Sequence, residues 1–370
     1  MEKKQFSPGS DSMVTLPGRL GNPNFELRTD PRSDPRMIAA MAPYDLDGLA
    51  APSPVSARDP LEDRLTFLAA AERGFEAFFA GLMTELPPVP GIVHSTEVIK
   101  GVDGNDIMLY IHRPKGESTT ALPGVLHIHG GGMALLSTSG PVYSRWRDEL
   151  AATGMVVIGV EFRNAAGVHG PHPFPAGLDD CTTALEWTHS NRELLGISKL
   201  ILAGESGGAN LALATTIKAK RIGRLDAIDG VYALVPYISG AYGWSDEDKA
   251  RKFPSLLEND GYFINCSLNE VIASVYDPNG TNDRNPLCWP HWATSDDLAN
   301  LPPHIITVNE LDIFRDEGLS YYRKLARAGV NVTGRSITGV CHGAEVMFRK
   351  SMPDMYLSTI HDVKAFANRI

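Results

Sequence analysis

From about residue 91 to the C-terminus, short runs rich in Val, Ile and Leu alternate with stretches of helical periodicity, and this alternation leaves few folds open. Strands are expected at 93–99, 107–112, 124–129, 155–162, 199–203, 230–234, 304–308 and 332–337, with helices between several of them, as at 178–190 and 210–220. Strands that run parallel need a crossover between them, and a helix supplies it while covering one face of the sheet. The pattern predicts an α/β fold: a mostly parallel eight-stranded sheet with helices on both faces. The first two strands are separated only by Val102-Asp103-Gly104-Asn105, so the sheet is expected to begin antiparallel.

Two segments fall outside the alternation. The first 60 or so residues are rich in Pro, Asp and Gly and read as loop with short helical pieces, the first ~20 of them disordered. A helix follows from Leu61, where Leu61, Leu65, Leu68, Phe75, Phe79 and Leu82 form one apolar stripe that Pro87-Pro88 ends. So aromatic a stripe serves either as ordinary core or as part of a lid. The second segment, 235–275, has no clear strand yet contains Tyr242, Trp244, Phe253, Tyr262 and Phe263. In doubly wound folds insertions gather at the carboxyl ends of the strands, where ligands bind. The expected organisation is an N-terminal segment (1–90), a core in two parts (91–234 and 276–370), and between them an insertion (235–275) that helps roof a site.

The chemistry is concentrated at three points. Gly204-Glu205-Ser206-Gly207-Gly208 follows an apolar strand and precedes a helical run, the context in which a sharp turn lifts a nucleophilic serine above the sheet. His129-Gly130-Gly131-Gly132 follows the strand Val125-Leu126-His127-Ile128; such glycines can turn backbone amides toward a developing oxyanion, although a merely flexible turn would look the same. A serine hydroxyl needs a base, and the base a carboxylate that fixes its tautomer, in the chain order Ser, acid, His. His342 is the best-placed histidine downstream, ahead of His291, His304 and His361. Spacing leaves Glu310, Asp312 and Asp316 all open as the acid, the unused ones being helix N-terminal charges. Met133, Trp244, Phe253 and Trp289 are candidates for lining a substrate pocket, each equally well explained by core packing.

Composition removes other classes of function. The chain of 370 residues has a net charge of −10 and no basic cluster, which argues against a nucleic-acid partner. His127 and His129 would share one strand face, but no third ligand with metal spacing accompanies them, so no metal is expected. Cys181, Cys266, Cys288 and Cys341 lie far apart with no C-x-x-C spacing, which suits a reducing compartment. With no apolar run of membrane-spanning length and no apolar stretch behind Lys3-Lys4, a cytoplasmic protein without stable membrane association is expected.

From about residue 93 onward the chain resembles the hormone-sensitive-lipase-like carboxylesterases of bacterial family IV, within the α/β-hydrolases. The resemblance rests on His129-Gly130-Gly131-Gly132, on the stretch from Gly204 to Asn210, on Asp312-Ile313-Phe314-Arg315-Asp316-Glu317-Gly318 and on His342-Gly343. Supporting stretches are Phe162-Arg163-Asn164 with His172-Pro173-Phe174-Pro175, and Asn285-Pro286-Leu287-Cys288-Trp289-Pro290. The resemblance implies a Ser206, Asp312, His342 triad, oxyanion donors at Gly131, Gly132 and Gly207, and a cap built from the N-terminal segment and 235–275. It also implies hydrolysis of small or short-acyl carboxylic esters without a cofactor, and a homodimer paired through the last strand. An amidase, lactonase or deacetylase would use the same triad, and a non-catalytic receptor on this fold would be expected to have lost part of it. The chain departs from the family pattern at Ile313-Phe314, at Ala209, and in what looks like an insertion at 165–171.

Overall fold

The computed structural model describes residues 16–116 and 120–370. Eight strands form one sheet: β1 (Ile92–Lys100), β2 (Asp106–Pro114), β3 (Leu122–Ile128), β4 (Val156–Glu161), β5 (Ile197–Glu205), β6 (Gly230–Leu234), β7 (His304–Asn309) and β8 (Val332–Ile337). Their order is β1-β2-β4-β3-β5-β6-β7-β8. β1 pairs antiparallel with β2, and β2 with β4; every later pairing is parallel. All eight expected strands are present. β5 extends two residues further at each end than its apolar run, because Ile197 pairs with Leu122 and Glu205 with Leu234.

Among the described residues seven helices exceed ten residues: α1 (Leu61–Met83), α2 (Pro141–Ala152), α3 (Ala176–Ser190), α4 (Gly207–Arg221), α5 (Cys266–Tyr276), α6 (Arg315–Arg327) and α7 (Pro353–Arg369). α3 packs on α4 and α2 on α7, and these pairs clothe the central strands, while α6 lies on β7 and β8. Strands β3 to β7, covered by helices, are apolar and buried almost throughout; β1 and β8 at the two edges are largely exposed. The stripe on α1 is shifted from its expected position. Leu61 is exposed, whereas Leu68, Glu72, Phe78, Phe79 and Leu82 are buried, so an acid sits among the apolar residues. The first ~20 residues, expected to be disordered, fall largely outside the described residues.

The strand order places the site. β4 lies on one side of β3 and β5 on the other, so the chain changes direction between β3 and β5. A crevice opens at the carboxyl ends of strands where such a reversal occurs. Ile128 pairs with Gly204 at that end, so the loops holding Gly130–Gly132 and Ser206 leave the sheet at one level. No helix among the described residues is long and apolar enough to cross a membrane.

Candidate active site

Ser206 joins the end of β5 to the first residue of α4 with φ 56° and ψ −119°. A non-glycine residue with positive φ is strained unless its surroundings hold it. Here they do: the Ser206 amide donates to Leu234 O at 2.9 Å, and Ser206 O accepts from Asn210 N at 3.1 Å and Tyr237 N at 3.2 Å. The flanking glycines are required by close approach, since a Cβ on Gly204 would meet Gly208 C at 2.4 Å and one on Gly208 would meet Ile128 O at 2.0 Å. The turn leaves the serine lining the cavity, at the positive end of a fifteen-residue helix.

Three residues past β7 lies Asp312, fully buried, and five past β8 lies His342. Asp312 Oδ2 is 2.8 Å from His342 Nδ1, and its Oδ1 accepts the Phe314 amide at 2.9 Å. The Phe314 ring meets the imidazole edge-on, centroids 4.9 Å apart. The other two acids hold structure: Glu310 accepts the Gly339 amide at 2.8 Å and Asp316 the Ser255 amide at 2.7 Å, in the first turn of α6. Asn259 Nδ2 donates at 3.0 Å to both Glu310 O and Asp312 O, so the 235–275 segment braces the acid loop.

Ser206, His342, Gly130, Gly131 and Gly132 line one cavity, whose remaining wall is mostly apolar. Gly131 has φ 99°, and a Cβ there would lie 2.1 Å from Leu135 O, so only glycine fits this turn. Gly207 packs so closely on the turn that a Cβ on it would lie 2.7 Å from Gly132 N. Glu205 Oε1 accepts the Gly130 amide at 2.5 Å. Burial pushes Glu205 up to about 8, and the Gly130 amide offsets only part of that. His127 Nε2 lies 3.2 Å from Glu205 Oε2, and burial holds this imidazole well below its ordinary range. His129 stacks on Phe162, centroids 4.4 Å apart, and contacts Gly130 O, so the H-x-H pair is bound up with the protein itself.

The proposed pocket wall needs correction. Met133, Trp244, Phe253 and Trp289 are buried or half-buried but line no part of this cavity. Trp289 packs edge-on against Tyr237, Tyr242 and Tyr276 beneath the site, and Trp244 and Phe253 pack on each other. Their aromatic size predicted burial correctly but not against what. The wall is made instead by Phe75 and Phe79 of α1, Phe263, and Leu268 and Ile272 of α5. The i, i+4 spacing of Phe75 and Phe79 was the one available signal for this. Among the described residues one group could in principle hold a metal, His94, His112 and Asp148. However, His112 Nε2 accepts from Arg147 Nε at 3.0 Å, which leaves its Nδ1 proton to face Asp148 at 2.7 Å, and the cluster closes without an ion.

Residues 125–346 match the α/β-hydrolase fold family. The curated carboxylesterase NlhH of Mycobacterium tuberculosis is 30% identical over 250 residues, covering 66% of this chain and 73% of its own. Among solved structures, brefeldin A esterase, described as a bacterial homologue of human hormone sensitive lipase, superimposes with a TM-score of 0.93 at 49% identity, covering 95% of this chain and 98% of the other. Esterase Est22 does so with a TM-score of 0.82 at 35% identity, covering 94% and 100%. With its strand order and its serine, imidazole and carboxylate at the expected strand ends, this chain belongs to the α/β-hydrolase family, on its hormone-sensitive-lipase-like bacterial carboxylesterase branch, and is a serine carboxylic ester hydrolase.

Proposed function

We propose that Ser206 is the nucleophile of this esterase, with His342 as its general base, Asp312 orienting the imidazole, and the amides of Gly131, Gly132 and Gly207 holding the oxyanion. The observation that carries this is the 2.8 Å contact between Asp312 and His342 beside a serine held at φ 56° in the same cavity. Among the described residues nothing accepts from those three amides, which leaves them available to a ligand. His342 takes the Ser206 proton as Oγ attacks the ester carbonyl, and returns it to the leaving alcohol oxygen as the C–O bond breaks. Water, deprotonated by His342, then attacks the acyl-enzyme; the carbonyl is restored and the acid leaves with Ser206 reprotonated. Ser206→Ala is expected to fold and to lose p-nitrophenyl ester hydrolysis; retained turnover would sink the assignment.

Short-acyl esters with a compact apolar body suit the small space left between Ser206 and a wall of Phe, Leu and Ile. An amide or lactone would meet the same triad, and comparing each ester with its matched anilide separates these. The four buried, unpaired thiols favour a reducing, cytoplasmic setting. The exposed edge of β8 offers a surface for pairing with a second copy.

A further inference from the structure

Glu72 sits on the buried face of α1, only 4% exposed. Both of its oxygens are taken by backbone amides rather than by a cation: Oε1 accepts Leu136 N at 2.6 Å and Oε2 accepts Val168 N at 2.9 Å. Leu136 lies in the loop that begins with the glycine turn and leads to α2 at Pro141. Within it Met133 has φ 59° and Leu136 φ 77°, a region that side chains disfavour and that persists only when neighbours impose it. The segment 164–168 forms part of that restraint. Ala165 N donates to Met133 O at 2.9 Å, Ala166 N to Ala134 O at 3.0 Å, and Asn164 Nδ2 to Leu136 O at 2.7 Å. The carboxyl group of Glu72 ties both strips to α1. The same helix also places Phe75 and Phe79, one and two turns on, in the cavity wall.

We propose that Glu72 is a positioning residue that couples the seating of α1 over the cavity to the shape of the oxyanion loop. This rests on the proposed reading of the site, with Ser206 as nucleophile and Gly131 and Gly132 as oxyanion donors. With α1 seated, the two accepted amides hold Leu136 and residue 168 where the strained loop presents its glycine amides to the substrate. With the carboxyl group removed or displaced, the loop relaxes from its left-handed residues and the donors lose their aim. Gly167 provides a way to displace the group without deleting it: a Cβ there would lie 2.6 Å from both Glu72 oxygens.

The test compares Glu72→Ala, Glu72→Gln and Gly167→Ala with the exposed control Glu76→Ala. It measures kcat and KM for p-nitrophenyl acetate and inhibition by a trifluoromethyl ketone, whose adduct with the serine carries the oxyanion. Glu72→Ala and Gly167→Ala are expected to lower kcat by about 10–100-fold and to weaken the ketone by a similar factor, with KM little changed. Glu72→Gln, which keeps one acceptor, falls between, and Glu76→Ala matches wild type. If Glu72→Ala does not fold, the other two variants carry the comparison. A lower melting temperature with kcat and ketone affinity within about twofold of wild type would overturn the proposal. The underlying assignment fails separately, if the wild type is active and Ser206→Ala is equally so.

Discussion

Glu205, the residue before the nucleophile, holds the amide of Gly130, the residue before the proposed oxyanion glycines, at 2.5 Å. The carboxyl group thus links the turn that presents Ser206 to the turn that faces it, 75 residues earlier in the chain. Removing it leaves a buried amide without an acceptor and frees the glycine turn. Glu205→Ala is expected to lower kcat by about 10²-fold, and Glu205→Gln, which keeps the acceptor, by far less. Steady-state kinetics on p-nitrophenyl acetate tests this; equal losses in both variants would mean that the acceptor is not what matters.

The same carboxyl group makes stability depend on pH. Folded, it titrates at about 8, against an ordinary 4.5. Between those values the folded chain keeps a proton that the unfolded chain has released, so stability falls as pH rises, by up to about 1.4 kcal/mol per unit. The contribution is complete below about 4.5 and is lost through about 8. Urea unfolding of wild type and Glu205→Gln at several pH values is expected to show the wild-type advantage shrinking across this window and levelling off above it. A constant difference would show that Glu205 is ionised in the fold.

Asp312 makes a prediction of a different size. Its contact with His342 Nδ1 fixes which imidazole nitrogen faces the serine. Asp312→Asn keeps the shape but favours the wrong tautomer, and a loss of about 10⁴ in kcat is expected. Glu310→Gln and Asp316→Asn, whose oxygens accept backbone amides elsewhere, are expected to stay within about tenfold of wild type. If Glu310→Gln were the inactive variant, the acid would have been misassigned.

How much of this was legible in the sequence depended on how far apart the interacting residues lie. Strands covered on both faces are continuous apolar runs, so β3 to β7 stood out, and a glycine pair flanking Ser206 is a purely local requirement. Glu310, Asp312 and Asp316 could not be separated by spacing, because what distinguishes them is contact with Gly339, His342 and Ser255 on other elements. Glu72 carried no signal in the sequence, because its partners Leu136 and Val168 are 64 and 96 residues away. The pocket wall failed for a related reason. Trp244, Phe253 and Trp289 had to be buried, but hydrophobicity carries no direction, and their neighbours proved to be other aromatic rings.

That correction can be tested against substrate choice. Phe79 and Phe263 face the cavity from α1 and from the segment before α5, so truncating either enlarges the space available to the acyl chain. Trp244 and Phe253 lie outside it, and truncating them costs stability alone, on the order of 3–5 kcal/mol for the buried Phe253 ring and less for the half-buried Trp244. Across p-nitrophenyl esters of increasing acyl length, Phe79→Ala and Phe263→Ala are expected to lower kcat/KM for the acetate by about tenfold and to move the optimum toward longer chains. Trp244→Ala and Phe253→Ala should leave the optimum where it is while lowering the melting temperature. A shifted optimum in the second pair, with none in the first, would return the wall to the residues that aromatic size alone suggested.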